Sequence, residues 1–403
     1  MARTIRGELE NSADNQEQWL KFERSQPPPQ LGSPLIVWEQ RLFKGHPTHP
    51  YLGTDAIRVG SSELYGLHQA SMRTISIPDF PFHVKMALSF TITSARRTMT
   101  PWTTRMCIEV SRLLQDIADP ELLWIALKRA AACSANRDFE AAKHLSVMLR
   151  EDPEPRAREL GQCLVLPAAL FELRSEDRVA PVVELFNLEP TLEARKNWFR
   201  NYARLYLQAV LPPLLSYGIC LEAHLQNVLA RFDVETGALR GFVYRDMGGL
   251  RMHLPTMKAR GIGIKSADLV PGAVTLTDDL EAVWINAYHN LVVNHMGGAL
   301  RGMGLQWDGG WDILKEELKQ ALEASPDPDN KTAELLEFMV RPTMKRKAFL
   351  RMQIAGIYRD SLRPPSKSFI HPSKGIGGLR ELVGQRNLYM YSRLLAAQML
   401  SAP

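Results

Sequence analysis

Residues 217–252 read YGICLEAHLQNVLARFDVETGALRGFVYRDMGGLRM. Glu222, His224, Gln226 and Asn227 crowd its start, and alternating apolar and polar residues follow at once. That alternation predicts a strand over Val228–Asp233, a turn at Thr236 and Gly237, and a return strand over Leu239–Tyr244. Arg245, Asp246 and the pair Gly248-Gly249 close the unit. A hairpin sets its two ends side by side, so Asn227 at the entrance and Asp246 at the exit can share one ligand. An amide oxygen and a carboxylate are hard donors that suit Mg²⁺ carrying nucleotide phosphates. A plainer reading makes His224 a hydrogen-bonded structural histidine and Asp246 a cap for the turn before the glycines.

Upstream of the hairpin, residues 84–93 have strand composition. Ser71, Arg73 and Thr74 precede them, Lys85 stands near their start, and Thr93, Ser94, Arg96 and Arg97 mark their end. Cations on neighbouring strands with hydroxyls between them suit a triphosphate through charge-assisted hydrogen bonds. The same charges also fit a solvated edge that resists further strand pairing. Further back, GHPTHP (residues 45–50) predicts a stiff, non-helical turn, because proline fixes its own backbone and biases the preceding residue.

Apolar residues at three- and four-residue intervals predict helices over 105–117, 121–133, 139–149 and 191–215, the last ended or kinked by Pro212-Pro213. CLVLPAALF reads as a strand or buried segment. After the hairpin, helices are expected over 278–300 with Thr277 as cap, then 310–324, 332–340, 343–359 and 379–400. On this reading Lys345-Arg346-Lys347 is a solvated helix face, and His289 and His295, six apart, do not share a face for a metal. The loop KARGIGIKSADLVPG is basic and glycine-rich but matches no phosphate-binding fingerprint.

The chain has 403 residues, 45% of them hydrophobic, enough for one large domain or two. A formal charge of +5, spread without long basic runs, gives no case for nucleic acid. Four widely spaced cysteines predict reduced thiols, and no run approaches the ~18 apolar residues of a membrane span, so the expected location is cytoplasmic with no membrane partner.

Taken together, these motifs resemble the NRPS-independent siderophore synthetases of the IucA/IucC family. GHPTHP resembles that family's His-Pro signature. ASMRT with Lys85 and TSARR resembles its Ser-x-Arg-Thr element and the cations that follow, and EAHLQN with RDMGG resembles its palm motif. KRKAFLRMQIAGIY is weakly similar to its terminal region. The resemblance implies an α+β fold shaped as a hand: a fingers-like antiparallel sheet with helices, and a mainly helical palm containing the β-hairpin. Domain boundaries on that basis are a tail at 1–35, a fingers-like ATP-binding region at 36–195 and a palm at 196–403.

It also implies an ATP-dependent ligase that adenylates a small (poly)carboxylic acid and joins it to an amine or alcohol. Ser71, Arg73, Thr74, Lys85 and Arg97 would then hold the triphosphate, and His224, Gln226 and Asn227 would line the nucleotide and acid pocket. Glu222, Asn227 and Asp246 would address Mg²⁺. Lys85, Arg97 and His224 would assist catalysis by charge stabilisation and orientation, since no protein nucleophile is required. The sequence departs from the family in four places, one being the His-Pro-Trp element before ASMRT, reduced here to GLHQ. The His-Pro signature stands near the start, as if most of the helical thumb were missing, the interval to ASMRT is short, and YLGTDAIRVG carries Arg58 without the usual lysine. A trimmed thumb leaves room for a homodimer. It also keeps open a catalytically impaired, nucleotide-binding homologue with a regulatory role; a phosphotransferase ranks last, because no aspartate base precedes Asn227.

Overall fold

The computed structural model describes residues 21, 27–41, 45–46, 49–50, 66–71, 73–88, 91–92, 95–173, 180–265, 275–347 and 362–367. The hairpin forms where the alternation places it. Val228–Asp233 pairs antiparallel with Leu239–Tyr244, with Val228 opposite Tyr244 at the mouth. Asp233 builds the turn: its Oδ1 accepts from the backbone N–H and the hydroxyl of Thr236, each at 2.8 Å, and Gly237 supplies φ +70°.

Two more strands complete a four-stranded sheet. Gln162–Val165 lies antiparallel to Val228–Asp233, and Leu123–Ile125 runs parallel to Leu239–Tyr244. Gly241 permits that close approach. It sits at φ +144°, and a Cβ there would lie 2.5 Å from the Leu122 carbonyl oxygen. The sheet therefore draws strands from both sides of residue 195.

A separate five-stranded antiparallel sheet is ordered Leu67–His68, Thr74–Ser76, Phe82–Met86, Ser146–Glu151, Lys128–Cys133. The helix Pro101–Ile117, capped by Thr100, packs on it with Trp102, Met106, Val110 and Leu114 buried. The fold is thus α+β, with antiparallel sheets and helices as expected.

Several expected elements differ. Residues 121–133 and 139–149 form the strands Leu123–Ile125 and Lys128–Cys133 and the start of Ser146–Glu151, with only a four-residue helix at Phe139–Ala142. Leu123–Ile125 is buried on both faces, so it shows no alternation and its apolar run mimics a helix. In Ser146–Glu151 the inward residues are Ser146, Met148 and Arg150, and the two polar ones disguise the strand period. The strand expected over 84–93 runs over Phe82–Met86, and Thr91–Ile92 pairs separately with Ala95–Arg96. Thr343–Lys347 is a strand paired with Leu362–Lys367 and not a helix, so its three basic residues lie on an edge ladder.

The long helix Leu192–Tyr217 begins on the Thr191 cap as expected but passes through Pro212-Pro213 and ends at Gly218, φ +69°. Burial of Leu211, Pro213, Leu214 and Leu215 outweighs the backbone bonds the prolines forgo. Its Tyr202 and Tyr206 rings meet Phe242 of the hairpin edge-on, centroids 5.5 Å apart in both cases. The expected helix 278–300 divides into Leu280–Ala287, a π-helical stretch Tyr288–Met296 and Gly297–Gly302, and its cap is Asp279, not Thr277. Gly45–His46 pairs with His49–Pro50, so the backbone doubles back across GHPTHP. The expected helix at 379–400, Arg58 and most of the 1–35 tail lie outside the described residues, although Leu31 packs against the core and Leu35 is buried.

Candidate functional site

Lys85 and Asp246 join the two sheets. Lys85 comes from the middle of Phe82–Met86, and Asp246 follows the return strand of the hairpin. Lys85 Nζ donates to Asp246 Oδ2 at 2.6 Å, while the Gly248 N–H donates to Oδ1 at 3.1 Å. Burial opposes the charge of Asp246. The Lys85 and Lys128 ammonium groups outweigh it and hold the carboxyl well below its ordinary range. Burial also draws Lys85 down, and the Asp246 carboxylate beside it pushes back.

The other expected triphosphate residues gather next to Lys85. Thr74 stands opposite Lys85 in the ladder, and the Ser71 hydroxyl donates to Thr74 Oγ1 at 2.6 Å. Arg73 Nη1 donates to the backbone carbonyls of Arg97 at 2.8 Å and Thr98 at 2.9 Å, which ties the two cations' segments together.

Across the hairpin mouth, Asn227 Nδ2 donates to the Glu222 carbonyl at 3.1 Å and lies 3.4 Å from Glu222 Oε2. The Arg245 N–H donates to the Asn227 carbonyl at 3.1 Å, which sets Asn227 and Asp246 on adjacent chain ends as the hairpin predicts. The Glu222 carboxylate occupies the space a side chain would take at Gly249, where an added Cβ would lie 1.9 Å from Oε2. His224 Nδ1 accepts from the Gln226 N–H at 3.3 Å. Gln226 faces elsewhere: its Nε2 donates to the Ala70 carbonyl at 2.8 Å. Ser71, Arg73, Thr74 and Lys85 thus gather on one side and Glu222, Asn227 and Asp246 on the other, while Gln226 turns to Ala70.

The donor set fits a nucleotide and its metal. Cations and hydroxyls stand on one side and two carboxylates with an amide on the other. Among the described residues no three His, Cys, Asp or Glu side chains form a metal cluster, and Mg²⁺ bound through phosphates needs only one or two carboxylates.

Sequence reasoning missed a deeper layer. Lys128 is fully buried, donating from Nζ to the carbonyls of Arg245 at 2.6 Å and Ala126 at 3.2 Å, and burial pulls it well below an ordinary lysine. Glu39 is buried against Arg245, and Arg150 is buried between Gln69 and His83 Nδ1, the latter at 3.0 Å. Charges set directly behind apolar runs, Glu39 after LIVW and Lys128 after LLWIAL, are the signal that could have found them. His295 is buried on the π-helical stretch, with Nδ1 2.9 Å from the Ala223 carbonyl and Nε2 2.9 Å from the Tyr202 hydroxyl. The carbonyl can only accept, so Nδ1 carries the proton and Nε2 accepts from Tyr202.

Comparison with known proteins gives two family matches. Residues 53–172 match the model described as the IucA / IucC family, and residues 196–361 match one described as ferric iron reductase FhuF-like transporter. The second stretch contains a single cysteine, Cys220, fewer than a thiolate-held iron–sulfur cluster needs. The first match and the relatives below are in line with the resemblance to the NRPS-independent siderophore synthetases of IucA/IucC type.

Among the relatives is the NRPS-independent siderophore synthetase-like protein ankE of Aspergillus thermomutatus, 29% identical over 87% of this chain and 71% of its own length. Among solved structures, the petrobactin biosynthesis protein AsbB of Bacillus anthracis superposes with TM-score 0.65 at 16% identity, covering 78% of this chain and 55% of AsbB. The ATP-bound aerobactin synthetase IucA of Klebsiella pneumoniae gives TM-score 0.58 at 16% identity, covering 76% and 55%. The chain thus spans about half the length of these two structures, and at such identity they speak to the fold. Among the described residues no helix is long and apolar enough to cross a membrane.

Proposed function

We propose that the chain is an ATP-dependent ligase that activates a small (poly)carboxylic acid as an acyl-adenylate and passes the acyl group to an amine or alcohol, in siderophore or related metabolite synthesis. The observation that carries this reading is the junction of Lys85 with Asp246, which sets the central strand of a cationic, hydroxyl-bearing sheet against a carboxylate-bearing hairpin mouth. The ATP-bound structural relative supports use of ATP. The division into tail, fingers at 36–195 and palm at 196–403 belongs to the same proposal.

A carboxylate becomes a good acyl donor once its oxygen carries AMP, and its attack on the α-phosphorus builds negative charge. Lys85, Arg73 and Arg97 would bind that charge, with Ser71 and Thr74 positioning the phosphates. Glu222, Asn227 and Asp246 would hold Mg²⁺, which neutralises phosphate charge when bound. His224 would orient the acid and need not form a covalent bond.

The test is product analysis with ATP, Mg²⁺ and a panel of di- and tricarboxylic acids, with and without amines and alcohols. Acid-dependent AMP and pyrophosphate support the ligase. ADP would instead indicate a phosphotransferase. ATP binding without turnover for every acid would favour an impaired nucleotide-binding homologue.

A further inference from the structure

We infer that Glu39 is a positioning residue that locks the phosphate-side turn to the hairpin mouth through a closed ring of hydrogen bonds; the inference rests on the ligase reading for what the turn binds. Glu39 lies on the helix Leu35–Arg41, outside every motif that marks the site. Its Oε2 accepts from the Ala70 N–H at 2.9 Å, and its carboxylate accepts a two-pronged bond from Arg245, Nη1 to Oε1 and Nη2 to Oε2, the second at 3.3 Å. Arg245 also donates to the Gln226 carbonyl, from Nε at 3.0 Å and Nη2 at 2.7 Å. Gln226 Nε2 closes the ring on the Ala70 carbonyl at 2.8 Å.

The three ring members other than Glu39 each adjoin a residue assigned to the site. Ala70 precedes Ser71, Gln226 precedes Asn227, and Arg245 precedes Asp246. The two peptide groups of Ala70 are held from opposite sides, one by an acceptor on the helix and one by a donor on the hairpin. A fully buried carboxylate, 1% exposed as a residue, is tolerated because the planar Arg245 fork and an amide N–H satisfy it. Three segments far apart in the chain are thereby fixed in one register. Misplacement of a reacting group by about 1 Å can cost on the order of 100-fold in rate, so such a lock has a function beyond stability.

The test combines hydrogen exchange at the Ala70 amide, which needs no ATP, with steady-state kinetics. Glu39→Gln is expected to speed exchange at Ala70 and its neighbours while the strand Val228–Asp233 keeps its protection, and to raise the KM for ATP by about tenfold with kcat changed less. Because a lone buried Arg245 can unfold the chain, Glu39→Met with Arg245→Met provides a second variant that leaves no unpaired charge. It is expected to fold, to expose Ala70 to exchange and to raise KM similarly. Native Ala70 exchange and native KM in either folded variant overturn the proposal. Uniform loss of protection across the chain, or failure of both variants to fold, makes Glu39 a stabiliser of the core and overturns it too. A wild type that turns over no acid at all refutes the ligase reading, while the exchange arm still decides the lock.

Discussion

Lys85 Nζ and Asp246 Oδ2 lie 2.6 Å apart across 161 positions of sequence, and this contact is where the two sheets share chemistry. Its side chains are largely buried, Lys85 at 7% and Asp246 at 24% exposure. Removing one partner leaves the other charge without its counter-ion. Lys85→Ala should therefore cost about 3 kcal/mol of stability as well as activity, measured by urea unfolding beside turnover.

Arg97→Ala separates the two effects. The bonds from Arg73 go to the Arg97 backbone carbonyl, which alanine keeps. The variant should keep the backbone tie to Arg73 yet lose acid-dependent turnover by on the order of 100-fold or more. Unchanged turnover would remove Arg97 from the site.

Gly249→Ala tests the metal side. A Cβ would meet the Glu222 carboxylate at 1.9 Å and displace it from beside Asn227. The expected result is a higher Mg²⁺ requirement for turnover, read by titration at fixed ATP; an unaltered Mg²⁺ curve would exclude Glu222 as a ligand.

Burial brings His295 from its ordinary 6.5 down to about 3, with the Ala223 carbonyl partly offsetting it. A base whose folded pKa is lowered binds its proton more readily when unfolded. Stability is therefore full above about pH 6.5 and falls as pH drops toward 3, by about 1.4 kcal/mol per unit from this group. His295→Gln should be less stable at pH 7 by about 1–3 kcal/mol, having lost its bond with Tyr202, but should show a flatter decline between pH 6 and 4.5.

Asp246 gives the same sign in a more acidic window. Its carboxyl is held below the ordinary 3.8, so its contribution is complete above that value and declines as pH falls below it. The stability gap between wild type and Asp246→Asn should be constant from pH 7 to 5 and narrow below about 4, as seen in unfolding curves across that range. A gap that stays constant below 4 would contradict the ionised pair.

The hairpin and its turn were legible because polar residues interrupt the apolar run of each strand and Asp233 and Gly237 carry turn chemistry. Asn227 and Asp246 followed from that geometry, and Lys85 from the charged strand upstream. The strand Leu123–Ile125 was not legible, since burial on both faces erases the period that distinguishes strand from helix. Glu39 and Lys128 escaped for another reason. Their partners, Arg245 and its carbonyl, lie 206 and 117 positions away, and no local pattern encodes such a meeting. Gln226 was placed in the pocket by its motif, whereas its amide nitrogen holds Ala70.

The most direct test of the central claim is acid-dependent exchange of labelled pyrophosphate into ATP, compared between wild type and Asp246→Asn. The account predicts exchange that requires Mg²⁺ and one particular class of carboxylic acid, and that falls by on the order of 100-fold or more in the variant. Exchange of equal size in both proteins, or none in wild type with any acid while ATP still binds, would contradict it.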